Sequence, residues 1–348
     1  MKHVFTVHSP VTYFCACNVV LHENLNPENV IFLYSSYTPK ESIGSLLPSF
    51  QEKHKSLWSK ILTFNITKKH DSYIDTICTG HDFIAYIDLA HYYQKLLITH
   101  RNCHVFHFIE EGTASYLAPQ TLQELTRIES QSNFRFESIK SKFRSLLRIF
   151  RGYNLKLLAI PYFANAFSSL SGIRFYGFHE DVFPGVPEEK KIILCAKSLQ
   201  HTAKKSNESQ NLSDAVILIE ESYFRSYGVN KEHVASCFER SLIWLNNNLN
   251  EKQLLVKLRP GQKASDSLWI TYLKKYDKAY ELISDDEPLE EKLIDSSNCI
   301  VLGTVSSLLF YAAVFGHKAF SNYSFIDERP LSSFDYAIYY WNKVSLME

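Results

Sequence analysis

Short apolar runs recur along this chain, separated by stretches of helix length, and that rhythm sets the expectation for its fold. His3–Val7, Val30–Tyr34 (VIFLY), Phe83–Asp88 (FIAYID) and Val105–Ile109 (VFHFI) are such runs, with Ile61–Ile66 a further candidate. Continuous apolarity over so few residues suits a strand buried on both faces of a parallel sheet. Tyr13–Leu21 reads as the first helix, and residues 118–150 also read as helical. Past residue 214 the alternation resumes. Strands are expected at Ala215–Ile219, Gln253–Lys257 and Cys299–Leu302, and helices at Lys231–Asn247, Asp266–Tyr276 and in EPLEEKLIDS, where Pro288 stands near the helix start. GTVSSLLFYAAVFG opens another helix, and Phe334–Lys343 reads as the last. Strands alternating with helices predict an α/β fold with doubly wound parallel sheets.

The chain has 348 residues, a length that favours two domains over one. Its composition breaks at SLQHTAKKSNESQNLSD, which is polar and short of large apolar residues. The expected organisation is a Rossmann-like domain over 1–195, a linker over 196–214, a second Rossmann-like domain over 215–330, and a C-terminal helix within 331–348 that packs back on the first domain. No internal repeat is visible beyond the two similar halves. A hydrophobic content of 45% with 21% charged residues is enough for full cores.

Charge and cysteine usage narrow the function classes. Thirty-seven basic residues balance thirty-seven acidic ones, which argues against a dedicated nucleic-acid binder, whose footprint would be basic. Seven cysteines are scattered, with no CxxC pair and no zinc spacing, so a reducing compartment without a disulfide framework is expected. The N-terminal segment lacks a signal-peptide pattern and no apolar segment is long enough to cross a bilayer, so the expectation is a soluble cytoplasmic protein. Lys140, Lys142, Arg144, Arg148 and Arg151 form a basic run. It reads either as a solvated helix face or as a patch drawing the chain to an anionic acceptor or to the inner face of the membrane.

Candidate chemistry gathers where strands end. Residues 106–116 read FHFIEEGTASY: an apolar strand that stops at Glu110-Glu111-Gly112, followed by Thr113, Ser115 and Tyr116. Ligands of open α/β sheets bind at such strand ends. Gly112 permits a sharp turn, and two adjacent carboxylates repel each other, which prepares one as a general base. An ordinary turn with two solvated acids is the plainer alternative. Lys257-Leu258-Arg259-Pro260 closes another strand, with two cations placed to grip a phosphate or simply to meet solvent. Gly303-Thr304-Val305-Ser306-Ser307 enters a helix, where free N–H groups and hydroxyls suit a phosphate and equally suit capping. Ser9-Pro10-Val11-Thr12 is expected as a loop lining a cleft. Of fourteen histidines, only His8, just before that loop, is worth noting.

Taken together, these sites resemble the bacterial GT-B sialyltransferases, the group that includes lipooligosaccharide sialyltransferases and capsular polysialyltransferases. The resemblance rests on Glu110-Glu111-Gly112 for an acidic D/E-D/E-G motif, Lys257 to Pro260 for a K-x-H-P motif, and Ser306-Ser307 for a Ser-Ser/Thr motif. Pro288 with Glu290 resembles a Pro-x-Glu element near the cytidine, and the SPVT loop with Ser9 resembles a T-P-x-Q segment. Arg259 stands where that group has histidine. Arginine can stabilise an anion there but cannot donate a proton near neutral pH.

The resemblance implies a GT-B fold, with two Rossmann-like domains facing across a cleft. It implies transfer of sialic acid from CMP-sialic acid to a hydroxyl of an oligosaccharide or glycolipid acceptor, with inversion. Glu110, or else Glu111, is then the base. Arg259 and Lys257 steady the departing phosphate, and Gly112, Pro260, Pro288, Glu290, Thr304, Ser306, Ser307 and Ser9 line the donor site. No cofactor or metal is required, and Asp285-Asp286 reads as a solvated turn rather than a metal pair. Another CMP-activated acidic sugar, or a non-catalytic homologue that binds glycan or nucleotide, are the competing expectations. The oligomeric state stays open, a dimer included.

Overall fold

The computed structural model describes residues 1–39, 42–50, 66–88, 92–117, 164–196, 212–221, 231–249, 252–259, 261–284, 288–326 and 343–348. The chain divides into two compact units, Met1–Cys195 and Ala196–Glu348.

In the first unit, seven strands form one sheet: β1 (Lys2–Val7), β2 (Val30–Tyr34), β3 (Ser45–Pro48), β4 (Phe83–Ile87), β5 (Cys103–Ile109), β6 (Phe175–Gly177) and β7 (Lys191–Ile193). Every pairing is parallel, in the order β3-β2-β1-β4-β5-β6-β7. Aromatic residues lock the register. Phe5 lies opposite Phe32 on one side and Tyr86 on the other, and its ring stacks on Tyr86 at 4.0 Å. Phe108 stacks on Phe175 at 5.0 Å across β5 and β6. Because the chain adds strands to one side of β1 and then to the other, the sheet has its topological switch point between β1 and β4. In open α/β sheets, ligands bind at the C-terminal edge beside such a point.

Three helices of this unit are described: α1 (Pro10–His22), α2 (Ile66–Ile77) and α3 (Tyr92–Ile98). The segment Ser9-Pro10-Val11-Thr12, expected as a loop, is instead the helix start. Ser9 is the N-cap of α1, Pro10 takes the first turn, and Ser9 and Thr12 cap each other's backbone N–H groups in a capping box. The third strand is also not where the apolar pattern placed it. Ile66 opens α2, residues 61–65 lie outside the described residues, and β3 is Ser45–Pro48. That strand ends in proline and alternates only weakly, as an edge strand can, so its pattern is faint.

The second unit repeats the plan. Strands β8 (Val216–Ile219), β9 (Leu254–Lys257), β10 (Glu281–Leu282), β11 (Ile300–Gly303), β12 (Lys318–Ser321) and β13 (Ser345–Leu346) pair in parallel in the order β10-β9-β8-β11-β12-β13. The described helices are α4 (Lys231–Leu249), α5 (Leu268–Lys275), α6 (Leu289–Ile294) and α7 (Ser307–Val314). Buried Trp269 on α5 donates its indole N–H to the Ile219 carbonyl at 2.9 Å, tying that helix to β8. The switch point of this sheet falls between β8 and β11. The basic run at 140–151, Asp285-Asp286, Pro260 and residues 334–342 of the expected last helix lie outside the described residues, and Lys343 stands in a turn.

Candidate active site

The order β1-β4-β5 delivers three strand ends to one edge of the first sheet: His8 follows β1, Asp88 follows β4, and Glu110-Glu111 follow β5. Consecutive residues of extended chain project to opposite sides, and the acid pair divides accordingly. Glu110 is 0% exposed, and its Oε2 accepts hydrogen bonds from the Tyr116 hydroxyl and the Phe178 N–H, both at 2.8 Å. Gly177 leaves room for this carboxylate, since a Cβ there would lie 2.8 Å from Glu110 Oε2 and 2.7 Å from Val182 Cγ2. Glu111 has a side chain 32% exposed. Its backbone N–H donates to Ser115 Oγ at 2.9 Å, and between them Gly112 takes a φ of +131° that a side chain disfavours.

Opposite Glu111 stands His8. Its Nε2 lies 3.4 Å from Glu111 Oε1, and its Nδ1 lies 3.0 Å from Asp88 Oδ2. Gln94 of α3 donates through Nε2 to Asp88 Oδ1 at 2.8 Å and to Thr6 Oγ1 at 2.7 Å. Burial by itself would lower the His8 imidazole, but its contacts with Asp88 and Glu111 outweigh that and raise it to about 10. His8 is therefore a cation through the neutral range, flanked by a carboxylate on each ring nitrogen. Those two carboxylates lie on opposite sides of the ring and so do not converge on a single point. Among the described residues, no group of three His, Cys, Asp or Glu side chains is arranged to hold a metal ion.

The second sheet carries an acid pair of its own, after the run VILI of β8, and both acids are buried. Glu220 accepts from Ser267 Oγ at 2.6 Å and from the Trp269 N–H at 3.2 Å, capping α5. Burial raises its carboxyl above the ordinary range. Glu221 accepts from the N–H groups of Thr304 and Val305. Two of the amides expected to meet a phosphate are thus already taken by a carboxylate. Gly303 is needed beside it, since a Cβ would lie 2.8 Å from Glu221 Oε1. Thr304 is buried and donates to Asn322 Oδ1 at 2.8 Å. Ser306 is the N-cap of α7, accepting from the Leu308 N–H, and the half-buried Ser306 and Ser307 remain at the open end of the turn.

Of the other residues expected at the donor site, Lys257 ends β9 and donates to the Ser284 carbonyl at 3.2 Å. Pro288 is the N-cap of α6, and Glu290 on that helix is buried. Burial raises the Glu290 carboxyl, and the charge of Lys257 acts in the opposite direction. Arg259 is exposed, with its backbone N–H bonded to Gln262 Oε1. The ends of β9 and β11 flank β8, so Lys257 and the Ser306-Ser307 turn leave the sheet about 10 Å apart. Ser9, in the first unit, is occupied by its capping box.

Asp88, Gln94, Glu220 and Glu221 were not anticipated from the sequence. Their signal was present nonetheless: three apolar strands run directly into acids, at Ile87-Asp88, Ile109-Glu110-Glu111 and Ile219-Glu220-Glu221.

Two measurements check this geometry. Because His8 is raised in the folded chain above its unfolded value, its stabilisation is complete below about pH 6.5 and fades as pH climbs towards 10. The melting-temperature gap between the native chain and His8→Gln should therefore close between pH 6 and pH 10. Gly177→Ala should lower stability by about 1–3 kcal/mol through overpacking against Val182 and Glu110, read by denaturant unfolding.

Comparison with known proteins places the chain in a family. A family model described as alpha-2,8-polysialyltransferase matches residues 18–322. Among solved structures, a sialyltransferase from Photobacterium damsela is similar at a TM-score of 0.54 and 12% identity, covering 100% of this chain and 81% of that one. The glycotransferase of kitacinnamycin is similar at a TM-score of 0.50 and 9% identity, covering 100% of this chain and 86% of the other. At such identities the likeness shows the fold alone, which is GT-B. No curated protein matches the chain.

Proposed function

The chain belongs to the alpha-2,8-polysialyltransferase family, and on that premise we propose that it transfers sialic acid from CMP-sialic acid to a glycan hydroxyl, with Glu111 as the general base. That it is a glycosyltransferase follows from the family. The donor, the base and the leaving-group contacts are inferred from the two sites. The observation that carries the inference is the division of the acid pair: Glu110 is enclosed and doubly hydrogen-bonded, while Glu111 reaches the open edge at the switch point. A base must touch the acceptor hydroxyl, and of the two only Glu111 has an exposed carboxylate. The sequence put Glu110 first; burial favours its neighbour.

The proposed step is a single displacement. The acceptor oxygen attacks the anomeric carbon of the sialyl group, and Glu111 takes the hydroxyl proton. The bond to the phosphate oxygen breaks, and CMP leaves with the electron pair, which inverts the anomeric centre. Charge growing on that phosphate is met in the second unit by Lys257, by the Ser306 and Ser307 end of α7, and by Arg259. With Glu221 holding the Thr304 and Val305 amides, the phosphate contacts fall to the residues that follow them. Such electrostatic stabilisation needs no metal in this proposal. The family description points to a sialic acid 8-hydroxyl as acceptor. Among the described residues no helix is long and apolar enough to cross a membrane.

Glu111→Gln should lower the transfer rate by about 10²–10⁴-fold, the usual range for a lost general base, while CMP binding stays unchanged in calorimetry. Glu110→Gln should instead lower the melting temperature, with activity per folded molecule largely kept. Across CMP, CDP, UDP, GDP and CMP-sialic acid, only CMP and CMP-sialic acid should stabilise the protein, by about 2.7 kcal/mol at a hundred times their Kd. A preference for UDP or GDP would contradict the donor assignment.

A further inference from the structure

The row that ends on Glu111 begins well below the surface. Side-chain exposure rises along it, from 1% at Asp88 to 13% at His8 and 32% at Glu111. Behind Asp88, Gln94 fixes the second carboxylate oxygen and is itself fixed by Thr6 of β1. Each member comes from a different part of the sheet, so the backbone holds the row rigidly: Thr6 and His8 from β1 and its end, Asp88 from the end of β4, Gln94 from α3, and Glu111 from the end of β5. A buried carboxylate requires a partner, and His8 supplies the cation for Asp88.

We propose that the Asp88–His8 couple is a positioning device for the base: Asp88 anchors the ring through Nδ1, and Nε2–H holds the Glu111 carboxylate ready for the acceptor proton. This rests on the assignment of Glu111 as base. The physical point is charge balance. A lone imidazolium beside Glu111 would steady the carboxylate but also suppress its basicity. With Asp88 paired to the far side of the ring, the couple carries little net charge, so Glu111 gains a fixed partner 3.4 Å away with little net field. During turnover the acceptor proton moves to Glu111, and both His8 protons stay on the ring. Two further titratable groups feel the charge of Asp88: Cys15 of α1 and Tyr93 of α3. Burial keeps the Cys15 thiol and the Tyr93 hydroxyl neutral by raising both. The ring itself is held charged up to about pH 10.

The test combines kinetics with ¹⁵N spectra of the histidine rings in the full chain, using CMP-sialic acid as donor. His8→Ala should lower kcat about 100-fold, the scale expected for a misplaced catalytic group, with the donor KM unchanged. His8→Gln, which keeps a donor, should recover part of that loss. In Asp88→Asn the ring loses one of the two carboxylates that raise it while burial still lowers it, so transfer should fall as the ring gives up its proton. The native enzyme should hold its rate to far higher pH. The His8 signal, identified by its loss in His8→Gln, should stay protonated to about pH 10 in the native chain and titrate at lower pH in Asp88→Asn. A native pH profile in Asp88→Asn and a native kcat in His8→Ala, with Glu111→Gln inactive, would overturn the positioning role and leave the base in place. Transfer surviving in Glu111→Gln would overturn the base assignment and this proposal with it.

Discussion

A carboxylate taken out of water must find donors or a cation, because an unpaired buried charge costs several kcal/mol. Strands of this chain run repeatedly from apolar sequence straight into acids, and the architecture at both sheet edges is the record of how each acid is satisfied. Glu110 draws in Tyr116 and the backbone of Phe178. Asp88 takes His8 and Gln94. Glu220 caps α5, and Glu221 clasps the turn before α7. Glu111 is the member of this set that keeps an open face, and its surroundings are fixed by what its neighbours required.

The two units apply one plan to different ends. In each, a parallel sheet reverses its order of growth, which creates an edge where side chains from non-neighbouring segments meet. In the first unit that edge collects a cation between carboxylates, an arrangement suited to moving a proton. In the second, both acids are consumed as caps. What remains there is Lys257, exposed Arg259, and the hydroxyls of Ser306 and Ser307, an arrangement suited to an anion. The division matches the two demands of glycosyl transfer, a base for the acceptor and a cradle for the leaving group.

Much of this was legible in the sequence. Fully buried strands such as VIFLY and VILI announce themselves through unbroken apolarity, and the acid motif after Ile109 marked the edge that matters. What escaped was of two kinds. Edge strands such as SLLP at β3 and the two-residue β13 bury too little to leave a strong pattern, and β12, inside the sheet, is only four residues long with every second one buried. Pairings between distant segments escaped as well: His8 lies far in sequence from Asp88 and Glu111, and only the strand order β1-β4-β5 makes them neighbours. Which of two adjacent glutamates reaches the open edge depends on the pleat of β5 and on a tyrosine six residues away, and composition carries neither.

The central claim is that this chain joins a sialyl group to a glycan by direct displacement of CMP. It is tested most directly by incubating the purified protein with CMP-sialic acid and a sialylated oligosaccharide, then following CMP release and product mass together and determining the new linkage by NMR. The account predicts one CMP released for each sialyl residue added, and an inverted anomeric configuration at every new bond. CMP release without extension of the acceptor, or products that retain the donor's configuration, would contradict it.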